Sequence, residues 1–189
     1  MAADVRWPGV MQSELGDDYL VIEEAQNGRT TVWDDPYELV NKNGAKHLPV
    51  VLESHAPVDL VIVMLGTNDL KNHFNQNAHS IADSCGVLID RILASDAGPN
   101  GVAPKVLLIA PAPVSEGFCP FGHLFDKAAE VSAGFKETYA EVAEDRGVAF
   151  LNAGDFASCP APDTIHIDAE SCGRLGRAVG DKVKEIFSQ

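Results

Sequence analysis

With 189 residues, 46 % of them hydrophobic and 22 % charged, the chain has the composition of a folded globular protein, long enough to bury a core without disulfide staples. Its formal net charge of −14 argues against a nucleic acid or an anionic membrane as partner, because such binding draws its affinity from Lys and Arg neutralising phosphates. No apolar run approaches the ~18 residues of a membrane span.

Helical spacing opens the chain over residues 4–15, and the apolar, β-rich run YLVIEEA follows at 19–25. A helix is expected over 45–55, then a strand in VDLVIVMLG (58–66) and a helix over about 77–95. The third strand is KVLLIAPAP (105–113), followed by helical spacing over 124–145. GVAFLNA (147–153) is the fourth strand, and a last helix spans 168–187, begun by Asp168 with acidic first-turn chemistry. Strands alternating with helices in this order predict an α/β protein with a parallel sheet covered on both faces. No repeat or linker interrupts residues 1–189, so one domain is expected.

In such sheets the working residues sit on loops at the carboxyl ends of the strands. Three loops of this kind carry chemistry here. QNGRTT (26–31) holds Gly28, which lets a backbone N–H approach a ligand with no Cβ in the way. GTNDLK (66–71) holds Asn68, whose amide could stabilise an oxyanion. PDTIHIDAE (162–170) holds Asp163 and His166, which on one tight turn can serve as orienter and base for a nucleophile. Singly, each has an ordinary structural reading: a turn glycine, a cap, a surface turn. Their shared rim favours function.

The four cysteines form no C-x-x-C pair, and His47, His55, His73, His79 and His123 have no ligand-like spacing, so neither metal nor cofactor is expected. The Pro- and Phe-rich stretch 110–125 could wall a small apolar substrate pocket with Phe118, Phe121 and Phe125, joined by Trp33 and Phe74 from neighbouring loops.

VIVMLGTNDLK resembles the third conserved block of the SGNH, or GDSL, hydrolase superfamily, PDTIHIDAE resembles its fifth, and VIEEAQNGRTTVWDDP is similar to its second. With DVRWPGVMQSELG ahead of them, the blocks look most like the bacterial arylesterase and acyltransferase subgroup, along essentially the whole chain. The resemblance implies a three-layer, flavodoxin-like α/β fold and a serine-type carboxylic ester hydrolase acting on small-molecule esters, with acyl transfer to alcohols as a side activity. It makes Gly28 and Asn68 oxyanion donors, His166 the base and then acid, and Asp163 its orienter.

The family's nucleophile lies in a G-D-S motif after the first, central strand, and no G-D-S occurs in these 189 residues. The sequence reading therefore expects an N-terminally incomplete domain, with the central strand and its serine outside the chain as given. It also expects a cytoplasmic homo-oligomer. The alternative is a non-catalytic or truncated member acting as a ligand-binding or assembly protein.

Overall fold

The computed structural model of the protein describes residues 1–117 and 122–188. Helix α1 (Trp7–Leu15) starts the chain and ends at Gly16, whose φ of 77° only glycine adopts without cost. The Asn43 side chain caps α2 (Gly44–His55) by accepting from the Lys46 amide, and Asn77 caps α3 (Ala78–Leu93) by accepting from the Ser80 amide. Strands β1 (Leu60–Val63), β2 (Lys105–Ala110) and β3 (Ala149–Asn152) follow the expected runs but are shorter. The last helix, α6 (Ala169–Ser188), begins where Asp168 accepts a 2.7 Å bond from the Ser171 amide, as its predicted N-terminus requires.

The helix expected over 124–145 is two, α4 (Ala128–Ser132) and α5 (Phe135–Asp145). Gly134, a poor helix former, sits at the break, and the Ser132 hydroxyl accepts from the Val114 amide on the loop after β2.

The strands form one parallel sheet in the order β1-β2-β3, with Leu60 opposite Lys105 and Leu107 opposite Ala149. Alternation along β2 divides the core. Val106, Leu108 and Ala110 pack with Ile81, Ile89, Phe135 and Tyr139 on one face, while Leu107 and Ile109 pack with Met11, Leu175 and Val179 on the other. This sheet, covered by helices on both sides, is the expected three-layer α/β arrangement.

Residues 19–25, expected as the first strand, form no ladder. A strand needs an edge to pair with, and none of the described strands lies against this run. It is held instead by side chains: Gln12 donates to the Tyr19 carbonyl at 3.0 Å and accepts from the Val21 amide at 2.7 Å. Further along, Glu24 meets His55 at 2.7 Å and His47 at 3.3 Å on α2. Between this run and β1 lies a groove of about 1030 Å³.

Helix α1 reaches its place by close approach to α6. A Cβ added at Gly176 would stand 2.6 Å from the Trp7 carbonyl oxygen and 2.6 Å from Val10 Cβ. We expect Gly176→Val to destabilise the protein by about 1–3 kcal/mol through overpacking, read as a lower urea midpoint. An unchanged midpoint would show that the α1–α6 contact yields without cost.

Candidate active site

Asp163, Thr164, Ile165 and His166 form the tight turn that the sequence suggested. Thr164 is buried with φ 64°, a left-handed conformation that is strained for a β-branched residue. That bend lets one carboxylate collect three donors. Asp163 Oδ1 accepts from the backbone amides of Ile165 and His166, each at 3.0 Å, and His166 Nδ1 lies 2.9 Å from Oδ2. Burial raises the Asp163 carboxyl, but the His166 ring and the two amides outweigh it and hold it below the usual carboxylate range. The carboxylate thereby places the proton of neutral His166 on Nδ1 and leaves Nε2 as the basic nitrogen. The ring is 71 % exposed, so Nε2 is open to a reacting group.

Three contacts fix the turn to the rest of the molecule. The Ser115 amide donates to the Thr164 carbonyl at 2.9 Å, the Thr164 amide donates to Pro160, and the Cys159 thiol lies 3.1 Å from the Ile165 carbonyl. Burial, with Asp163 and Asp168 nearby, pushes the Cys159 thiol up to about 11, so it stays a protonated donor and not a nucleophile.

The second pair is assembled from distant sequence. Gly28, at φ 79°, sits in a turn closed by the Arg29 amide on the Gln26 carbonyl, and Asn68 lies in the short 3-10 turn Thr67–Leu70 that follows β1. Asn68 Nδ2 donates to the Arg29 carbonyl at 3.1 Å, which brings the amide beside Gly28 and leaves its second hydrogen uncommitted. A Cβ at Gly28 would stand 3.0 Å from Glu38 Oε1. Even a methyl group would crowd this loop.

What ties these two loops together is Asp69. Its carboxylate is fully buried and accepts from the Thr31 amide at 3.1 Å and from the Thr31 hydroxyl. Burial pushes its carboxyl up to about 6 against the opposing effect of the Thr31 bonds. Below it, buried Lys71 holds Asp35 at 2.7 Å, and His73 lies 3.3 Å from the same carboxylate. Sequence reading missed Thr31, Asp35, Asp69 and Lys71 as supports. The only signal was the Asn-Asp pair after a strand, which an ordinary cap would also produce.

Trp33 and Phe74 come together, with ring centroids 6.4 Å apart. Phe118 and Phe121, expected beside them, lie outside the described residues. The Gly28–Asn68 pair and the Asp163–His166 pair share the carboxyl rim of the sheet without a direct hydrogen bond among the described residues. The loop after β2 joins them: Asn72 donates to the His123 carbonyl at 3.0 Å and accepts from the Asp126 amide, while Ser115 holds Thr164. No serine hydroxyl among the described residues bonds His166. The hydroxyls of Ser13, Ser84, Ser95, Ser132, Ser171 and Ser188 donate to backbone carbonyls instead.

A parallel α/β sheet carrying a carboxylate-oriented histidine and an amide-lined loop on one rim has the form of an SGNH-type ester hydrolase. The chain belongs to the GDSL-like Lipase/Acylhydrolase family, whose profile matches residues 2–170. Solved structures agree. A carbohydrate acetylesterase from Sinorhizobium meliloti is 40 % identical with a TM-score of 0.92, over 99 % of this chain and 88 % of that one. The M. smegmatis aryl esterase is 38 % identical with a TM-score of 0.92, over 98 % and 87 %. A carbohydrate acetylesterase family member from Sinorhizobium meliloti is 33 % identical with a TM-score of 0.94, over 100 % and 90 %. No curated protein matches the chain. The protein is a carboxylic ester hydrolase.

The two carboxylates predict opposite pH responses. Asp69, raised from 3.8 to about 6, keeps a proton in the folded protein that the unfolded chain releases, so its contribution to stability falls as pH rises between those values. Asp163 is depressed, so its contribution is present above the ordinary carboxylate range and is lost on acidification below it. Urea unfolding from pH 4 to 7 should therefore show a falling component that Asp69→Asn removes. An identical pH slope in the variant would place the titration elsewhere.

Proposed function

We propose that the protein cleaves small carboxylic esters through an acyl-enzyme formed on a serine hydroxyl, with His166 as base, Asp163 as its orienter and Gly28 and Asn68 as oxyanion donors. The observation that carries this reading is the Asp163–His166 geometry, which commits Nδ1 and leaves Nε2 to exchange a proton. His166 Nε2 takes the hydroxyl proton as the serine oxygen bonds to the ester carbonyl carbon. The carbonyl π electrons move to oxygen, and the Gly28 N–H and the free Asn68 hydrogen receive that charge. When the tetrahedral intermediate collapses, the C–O bond to the alcohol breaks and His166 returns its proton to the leaving oxygen. Water, deprotonated by His166, then releases the carboxylic acid and restores the serine. An alcohol in place of water gives acyl transfer.

The neighbours' names, aryl esterase and carbohydrate acetylesterase, support small acyl groups, acetyl above all, on aryl or sugar alcohols. The paired Trp33 and Phe74 supply a flat apolar contact suited to such substrates.

In a preparation active on an aryl acetate, His166→Ala should lower kcat by several powers of ten. Retention of a tenth of wild-type turnover would remove His166 from the reaction. Asn68→Ala should cost roughly 10²- to 10³-fold in kcat, whereas a raised KM with unchanged kcat would make Asn68 a binding residue only. Acetyl esters should outpace decanoyl esters, and the reverse order would overturn the substrate assignment. A serine-directed phosphonate that neither labels nor inhibits would favour the non-catalytic reading.

A further inference from the structure

β1 ends without the ladder bond that its register calls for. The Lys105 amide donates to the Asp59 carbonyl, and the period of two repeats that bond along the pair, so the Leu65 carbonyl would meet the amide of residue 111. Residue 111 is proline, which has no N–H. A phenol takes its place. Tyr139, on α5 and 74 residues away in sequence, donates from Oη to the Leu65 carbonyl at 2.7 Å. Its ring is fully buried and packs on Phe135, 5.2 Å between centroids. Burial, with Cys85 and Asp69 nearby, pushes the hydroxyl well above the ordinary phenol range, so it keeps its proton and stays a donor. The Cys85 thiol, 3.6 Å from the same carbonyl, is a weaker donor.

Glycine makes this contact possible. Gly66, the residue after Leu65, has φ 128°, and a Cβ there would stand 2.1 Å from Tyr139 Oη and 2.9 Å from Ile81 Cγ2. From this point the chain turns at once: the Asp69 amide donates to the Gly66 carbonyl at 3.1 Å, closing the 3-10 turn Thr67–Leu70. Asn68 stands inside that turn, three residues from the carbonyl that Tyr139 holds. On its other side the turn is held by the Arg29 carbonyl and, through Asp69, by Thr31.

We propose that Tyr139 is a positioning residue for Asn68: its hydroxyl, standing in for the amide that Pro111 lacks, ends β1 at Leu65 and sets the turn from which Asn68 presents its free amide hydrogen. The proposal rests on the serine-esterase reading above, in which that hydrogen receives the oxyanion. Tyr139 lies in the covered helix layer and acts through Leu65 and Gly66. Without the hydroxyl, the Leu65 carbonyl keeps only the thiol as a side-chain donor, and the turn loses its hold on the core. Small displacements of an oxyanion donor are costly in rate, because its value lies in being aimed before charge develops.

The test is Tyr139→Phe, which keeps the ring and removes the donor, made alone and together with Asn68→Ala. In a preparation active on an aryl acetate, Tyr139→Phe should lower kcat at least ~10-fold with KM within ~2-fold. In the Asn68→Ala background the same change should cost less than ~2-fold, because the group it positions is gone. Amide exchange reads the proposal without turnover: the Asp69 and Thr31 amides should exchange at least ~10-fold faster in Tyr139→Phe, with Leu175 and Val179 of α6 unchanged. An unchanged kcat or an equal loss in both backgrounds overturns the proposal. So does exchange that is unchanged at Asp69 and Thr31, or equally faster at all four amides. If exchange responds as expected and the wild-type protein hydrolyses no ester, the positioning of Asn68 stands and the serine-esterase reading falls. Should Tyr139→Phe not fold, Tyr139→4-aminophenylalanine decides, since its N–H makes a longer bond than a phenol O–H. It should lower kcat several-fold in the wild-type background and not in Asn68→Ala, and equal losses overturn the proposal.

Discussion

Burial of β2 on both faces is the constraint from which the rest of this fold follows. A strand reading Val-Leu-Leu-Ile-Ala has no polar side to give to water, so each face must find its own helical layer. The two hydrophobic clusters are these two solutions: α3 and α5 cover Val106, Leu108 and Ala110, and α1 and α6 cover Leu107 and Ile109. Because the connections are crossovers, all three strands point the same way, and every chemical group of interest is delivered to one rim. Tyr139 shows how tightly the layers lock: buried within the α3–α5 side, its hydroxyl donates to the Leu65 carbonyl at 2.7 Å, where β1 turns into the loop of Asn68.

The two halves of the site are held by different physics. The Asp163–His166 pair is local; one strained threonine folds a carboxylate back on its own following amides and ring. Thr164 and Ile165 anchor the turn in the interior, while the His166 ring stands in water. The half that carries Gly28 and Asn68 is long-range. Asp69 gives up most of its solvation to hold Thr31, 38 residues away in sequence, and Lys71 gives up most of its own to hold Asp35. Such desolvated groups are costly if left unpaired, so these pairings fix the loop geometry more firmly than exposed ion pairs would. The exposed pairs, such as Lys46 with Asp34, have no comparable hold on the site.

The edge of β1 is held differently from the site loops. Like the outer edge of β3, it has no paired strand among the described residues, and the neighbouring run forms no ladder with it and is held by Gln12, Glu23 and Glu24. Its side chains place it beside the sheet although its backbone does not join.

Sequence by itself determined the elements and the local half of the site. Periodicity located the helical segments, with α4 and α5 read as one, and, in shortened form, the three paired strands, because period and capping are read within a few residues: Asp168 capping α6 was legible for that reason. The D-x-x-H turn was legible too, since its donors and acceptor lie within four residues. Helix breakage at Gly134 escaped because it depends on the Val114 amide reaching Ser132, 18 residues away. The run 19–25 has every local mark of a strand, yet strand identity is a property of the neighbour and not of the run. Only the tertiary structure decided that Asp69 and Lys71 are buried supports, that Glu24 bridges to His47 and His55, and that β1 keeps an open edge. Each of these is a contact between residues far apart in sequence, and no spacing along the chain encodes which distant groups will share a place out of water.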